Sequence, residues 1–113
     1  MKILNNELLL GNIPTEAIMR EYGTPLYVYE ESVLRNQLRN LLSVFPRELV
    51  EIHFSMKANS NPSILKIIFE EGISIDAVSE FEVRLAIECG FDPKQIIFTG
   101  NNNKSPKSAA FKV

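Results

Sequence analysis

The chain has 113 residues, 45% hydrophobic and 23% charged, with a formal net charge of -2. That balance is globular and gives no reason to expect binding to nucleic acid or to an anionic membrane. No apolar run approaches the roughly 18–20 residues of a membrane span, MKILNNELLLG lacks the long apolar core of a signal peptide, and Cys89 is the single cysteine, which excludes an intrachain disulfide and a cysteine-built metal site and fits a reducing cytoplasm.

In chain order, two short apolar pieces, Lys2–Leu4 and Glu7–Leu10, flank Asn5-Asn6. This predicts a hairpin, because asparagine tolerates the positive φ of a tight turn. Thr15 is a good N-cap for a helix over 16–22, which Gly23 can stop in a left-handed conformation. Pro25 then blocks helix, and LYVYE at 26–30 has the aromatic and β-branched content of a strand. From 31 to 45, Val33, Leu34, Leu38, Leu41, Leu42 and Phe45 recur at steps of three and four and form one helical stripe, ended by Pro46.

The stretch VEIHFSMKANSNP at 50–62 organises the rest. Its strand, 50–56, puts Val50, Ile52, Phe54 and Met56 on one face and Glu51, His53, Ser55 and Lys57 on the other. Asn61 can cap the next helix and Pro62 suits its first position. Ile64, Leu65, Ile67, Ile68 and Phe69 form that helix's buried side, and Gly72 ends it. A second strand covers 73–78. Ser79 and Glu82 match a capping box in which each satisfies the other's backbone donor. Val83, Leu85, Ala86 and Ile87 follow on a helix closed by Gly90. Asp92-Pro93 is a turn, 96–99 a third strand, 100–104 a loop, and Ser105-Pro106 another helix start.

From Val50 onward the order is strand–helix–strand–helix–strand, the pattern of a parallel sheet covered by helices. The polar inward set His53, Ser55 and Lys57 favours an α/β barrel over an open doubly wound sheet, since polar groups at barrel strand ends face a site on the carboxyl-end rim. No Gly-x-Gly-x-x-Gly follows any strand, so a dinucleotide or P-loop cradle is absent. The fold expected is therefore an incomplete (β/α)8 TIM barrel. A whole barrel takes roughly 250 residues, so the sequence reads as the front part of a larger protein or a truncated product of one. Residues 1–30 form an N-terminal segment of hairpin, short helix and strand, and 31–113 the first part of the barrel. Its open sheet edge and uncovered apolar face would make the isolated chain associate or order only in part.

A lysine at a barrel strand end can form an imine with an aldehyde cofactor once its amine is partly deprotonated, and Lys57 has that position. On position alone an ordinary surface lysine is the commoner reading, since strand-end lysines are frequent on surfaces. Asp76 shares inward parity with Ser74 and Val78, which could set it beside Lys57; the alternative is a lone strand-end aspartate capping a loop. Glu82 reads as a capping residue rather than a catalyst, His53 as a packed, hydrogen-bonded interior histidine, and Cys89 as packing. Asn101–Asn103 could line the site or simply turn the chain.

The segments GTPLYVYEESVLRNQLRNL, SMKANSNPSILKIIFEEG, IDAVSEFEVRLAIECGF and IIFTGNNNKS resemble, in order and spacing, the diaminopimelate decarboxylases, alanine-racemase-like fold-type III enzymes that use pyridoxal phosphate. The resemblance covers about residues 23–105, and Lys-Ala-Asn-Ser-Asn-Pro is its most specific piece. It implies that Lys57 is the Schiff-base lysine and that Asp76 lies near the cofactor pyridoxal 5'-phosphate and the lysine. The reaction implied is transimination, loss of CO2 from the D-configured carbon of meso-2,6-diaminopimelate, and protonation to L-lysine. The family also implies an N-terminal segment packed on a C-terminal β domain and active sites built at a homodimer interface. Ornithine, arginine and carboxynorspermidine decarboxylases share the Lys and Asp signals, and a non-catalytic pyridoxal-phosphate-binding protein on this scaffold is a second reading. The family's phosphate loop, substrate arginines and partner cysteine lie past its equivalent of residue 113. GNNNKS carries one asparagine more than the family's Gly-Asn-Asn-Lys-Ser, and PKSAAFKV lacks its acidic helix start, so the chain alone is expected not to decarboxylate.

Overall fold

A computed structural model describes residues 1–100 of the chain, which divides into two compact units, one over residues 1–40 and one from residue 41 onward. In the first unit, β1 (Lys2–Leu4) and β2 (Glu7–Leu10) pair antiparallel with Ile3 opposite Leu8. Asn5 and Asn6 both take positive φ, 50° and 66°. Two consecutive left-handed residues make the turn whose twist matches that of its flanking strands. A third strand, β3 (Ile13–Pro14), pairs back on β2 and was not foreseen in the sequence.

β3 runs directly into α1 (Thr15–Tyr22). The expected cap is therefore displaced: Pro14 takes the cap position, Thr15 is already helical, and no side chain caps the helix. Gly23, at φ 78°, ends the helix and donates its amide to the Met19 carbonyl at 2.9 Å. The strand expected over 26–30 does not form. Its composition suits a pleated surface, but a strand needs a partner ladder, and no described strand pairs with these residues.

The Glu30 carbonyl accepts from the Val33 and Leu34 amides, each at 3.1 Å, and opens α2 (Glu31–Val44). Leu34 and Leu38 are half-buried and Leu42 is buried, in steps of four. Val33, Leu41 and Phe45 are exposed, so the buried stripe is narrower than the sequence predicts.

The second unit holds a parallel sheet in the order β4 (His53–Ser55), β5 (Ser74–Ala77), β6 (Ile96–Phe98). Ser55 lies opposite Asp76, and Asp76 opposite Ile97. Parallel pairing through intervening helices is what the sequence pattern predicts. β4 is shorter than expected: the chain from Met56 to Ala58 turns into one 3-10 helix. Among the described residues β4 and β6 are open edges, and no closed barrel is present.

Two helices cover one face. In α3 (Pro62–Glu70), Ile64, Leu65 and Ile68 are buried, and in α4 (Glu80–Glu88), Val83 and Ala86. With Met56, Ile73, Ile75, Ala77 and Phe91 they form the core. Asn61 Oδ1 accepts from the Ser63 amide at 2.9 Å with Pro62 at the first helical position, as expected. Gly72 and Gly90 take positive φ after their helices. The amides that follow them reach back, Ile73 to the Ile68 carbonyl and Phe91 to that of Ala86, which satisfies carbonyls the helix ends leave open. The loop Asn101–Asn103 with Lys104, and the helix start Ser105-Pro106, lie outside the described residues.

Candidate active site

Strand parity divides β5 between two tasks. Ile75 and Ala77 are fully buried in the core. Asp76, between them, faces the other way and is half-buried. One strand over, Met56 is fully buried at the start of the 3-10 turn, so it anchors the turn while Lys57, the next residue, is exposed. The Asn59 side chain accepts from the Asn61 amide at 3.0 Å and closes the connection into α3. Lys57 therefore stands on a short turn pinned at both ends, rather than on the strand end the sequence suggests.

On the far side, the Thr99 amide donates to the Ala77 carbonyl at 2.9 Å and carries the ladder one residue past β6. Its hydroxyl donates to Asp76 Oδ1. Lys57, Asp76, Val78 and Thr99 line a cavity of about 390 Å³ at the carboxyl ends of the strands. Lys57 and Asp76 thus share one cavity. Sequence reading missed Thr99, although its parity signals the position: it follows Ile97 by two residues, and Ile97 is opposite Asp76.

The remaining described candidates, His53, Glu82 and Cys89, lie outside the lining of this cavity. His53 Nδ1 lies 3.2 Å from the Ile75 carbonyl oxygen and Nε2 3.6 Å from Glu51 Oε2, with its side chain 16% exposed. It is the packed, hydrogen-bonded histidine the sequence predicts. The Ser74 hydroxyl donates to Glu51. The capping pair at Ser79 forms with a shift: Ser79 Oγ accepts from the Glu82 amide at 3.2 Å, but the Glu82 carboxylate accepts from Val78, not Ser79, at 2.7 Å. The reason lies in the strand end, where the Val78 amide has left the ladder and needs an acceptor. Glu82 thereby fixes Val78, a wall of the cavity. Cys89 Sγ lies 4.0 Å from the Pro62 carbonyl oxygen; burial, and then the charge of Glu88, push its thiol above the ordinary cysteine value.

Two further features touch this region. A Cβ on Gly100 would lie 2.9 Å from the Val78 carbonyl oxygen and closer still to the Phe98 ring. The Ser55 hydroxyl, on the strand beside Asp76, is buried without a hydrogen-bond partner among the described residues.

The cavity falls in the range of small-molecule sites, roughly 300–1,000 Å³. An amine, a carboxylate and a hydroxyl on its wall suit a carbonyl compound of modest size: the amine can attack the carbonyl, and the carboxylate can orient a cation or hold a proton. Among the described residues no group of three or more histidine, cysteine or acidic side chains could hold a metal ion, and no helix is long and apolar enough to cross a membrane.

Residues 31–109 match the family described as pyridoxal-dependent decarboxylase, pyridoxal binding domain. A diaminopimelate decarboxylase of Methanothermobacter thermautotrophicus is 42% identical over 97 residues, covering 84% of this chain and 23% of the relative. The crystal structure of AQ1208 from Aquifex aeolicus superposes with a TM-score of 0.82 at 29% identity, over 89% of this chain and 25% of that one. A lysine/ornithine decarboxylase from Vibrio vulnificus, solved with putrescine, superposes with a TM-score of 0.73 at 28% identity, over 80% of this chain and 24% of its own. The chain spans about a quarter of the length of the relatives it matches.

Proposed function

The chain belongs to the pyridoxal-dependent decarboxylase family, in its pyridoxal-binding domain, and on that premise we propose that it carries the cofactor lysine, Lys57, of a pyridoxal-phosphate-dependent carboxy-lyase for meso-2,6-diaminopimelate. The net reaction breaks the bond from the D-configured carbon to its carboxylate, releases CO2, and puts a proton in its place to leave L-lysine. The observation that carries the reading is the meeting of Lys57 and Asp76 in one cavity at the strand ends. The substrate follows from the relatives named diaminopimelate decarboxylase. Because the Vibrio vulnificus lysine/ornithine decarboxylase has the same fold over this region, the second reading is another basic amino acid. The full barrel, a C-terminal β domain and a homodimer belong to the same proposal.

Bound pyridoxal 5'-phosphate would supply an electron-withdrawing ring that stabilises the electron pair left when a bond at the substrate Cα breaks. Lys57 would hold the cofactor through Nζ, since an amine can take an aldehyde when it is unprotonated. Asp76 lines the cavity, and its Oδ1 carries the Thr99 hydroxyl, so Oδ2 is the oxygen that Thr99 does not engage. Val78, fixed by Glu82, walls the cavity.

Reductive trapping tests the reading. The chain is mixed with pyridoxal 5'-phosphate, reduced with borohydride and mapped by peptide mass. Label concentrated on Lys57 supports it. Label spread over Lys2, Lys66 and Lys94 in proportion to exposure overturns it. CO2 release from meso-diaminopimelate, ornithine, lysine and arginine by a protein of the relatives' length carrying this segment then separates the substrates; the 113-residue chain is expected to hold the cofactor without turnover.

A further inference from the structure

We propose that Thr99 is a positioning residue for this site: its hydroxyl fixes the Asp76 carboxylate so that one oxygen stays turned to the cofactor and Lys57. The inference rests on the reading of Lys57 as the cofactor lysine.

Three observations carry it. The Thr99 amide is bonded to the Ala77 carbonyl at 2.9 Å, so the residue's backbone is set by the ladder and not by the loop that follows. Its hydroxyl donates to Asp76 Oδ1, so consecutive residues of β5 receive both donors of one threonine. Both side chains line the cavity that holds Lys57. A carboxylate on a short side chain can rotate about two bonds, and one hydrogen bond to a fixed donor selects a rotamer. Threonine suits this task because its branched Cβ leaves few χ1 states, so the hydroxyl direction follows from the backbone. In the open cavity water competes for this bond. A ligand covering it would exclude that water and make the bond count for more.

The test uses the full 113-residue chain with Thr99→Val, Thr99→Ser and Asp76→Ala, reading cofactor affinity from the imine absorbance and labelling at Lys57. The valine variant is expected to weaken cofactor binding roughly tenfold, the scale of one hydrogen bond to a charged group, and the serine variant to stay within about twofold because it keeps the hydroxyl. Adding Thr99→Val to Asp76→Ala should then change little, because Asp76→Ala already removes the acceptor of the Thr99 hydroxyl. Valine binding as tightly as the parent overturns the inference, with Lys57 labelling intact and the parent reading standing. So does serine as weak as valine, which would assign the effect to packing. Additive losses in the double variant overturn it even where the valine variant folds poorly. Absence of label at Lys57 in the unaltered chain removes the reading itself, and this inference with it.

Discussion

Gly100 stands against the Val78 carbonyl, so close that a Cβ would fall 2.9 Å from its oxygen. The Phe98 ring, also within reach, could swing away. The carbonyl belongs to backbone that Glu82 holds in place through the Val78 amide. Gly100→Ala is therefore expected to destabilise the chain by about 1–3 kcal/mol, the usual cost of overpacking, and to weaken cofactor capture by displacing a cavity wall. Thermal melts and imine absorbance read the two effects; an unchanged melt would show that the carbonyl yields.

Lys57 gives a sharper contrast. Lys57→Arg keeps the charge, but a guanidinium does not lose its proton in this range and cannot take an aldehyde. Both Lys57→Arg and Lys57→Ala are expected to lose the imine band entirely. Because Lys57 is exposed on a turn held by Met56 and Asn59, both should melt within about 0.5 kcal/mol of the parent. A retained imine band in the arginine variant would place the reactive amine elsewhere.

Glu82 separates support from chemistry. Glu82→Ala removes the acceptor of the Val78 amide and is expected to cost about 1–3 kcal/mol, the penalty for a donor left unpaired. Glu82→Gln keeps an acceptor oxygen and should retain most of the stability and all of the trapping at Lys57. Loss of trapping in the glutamine variant without loss of stability would give Glu82 the chemical role denied it here.

What could be read in advance follows a physical division. The parallel sheet, the helices and their glycine ends were legible because apolar periodicity and left-handed glycines act within a few residues. The face of Asp76 was legible because strand parity assigns it before any partner is known, whereas parity does not reach Lys57, which lies on the turn after β4. The 3-10 turn at Met56–Ala58 was not, since it depends on Met56 finding a buried place in the core. The missing strand at 26–30 shows the converse: Leu26, Tyr27, Val28 and Tyr29 have strand propensity, but a ladder is made by two segments and composition describes one. Thr99 went unseen because its role depends on a hydrogen bond to a strand twenty-three residues earlier. The displaced cap at Glu82 arose in the same way, from a donor freed by a strand ending one residue sooner than the sequence suggests.

Glu30 makes the first unit sensitive to acid. Its carboxylate accepts from the Gly11 amide at 3.0 Å, from the terminal amine of Met1 at 3.1 Å and from the Ser32 hydroxyl at 3.1 Å. The Gly11 amide, and then the terminal amine, hold its carboxyl below the ordinary glutamate value; partial desolvation opposes them and Ser32 adds to them. A carboxylate with a depressed value in the folded state stabilises that state above the unfolded value, and the contribution is lost as pH falls through the folded one. The unit's stability should therefore decline between the ordinary glutamate value and the lower value of Glu30, and stay level above it. Glu30→Gln should remove that segment of the pH dependence while lowering stability at neutral pH, since an amide oxygen accepts more weakly and carries no charge for the amine. Hydrogen exchange at the Gly11 amide reports the bond directly. It should quicken, relative to intrinsic exchange at the same pH, over that acid interval in the parent, and be quick at every pH in the glutamine variant. A Gly11 amide equally protected in both would show that the turn, and not the carboxylate, holds it.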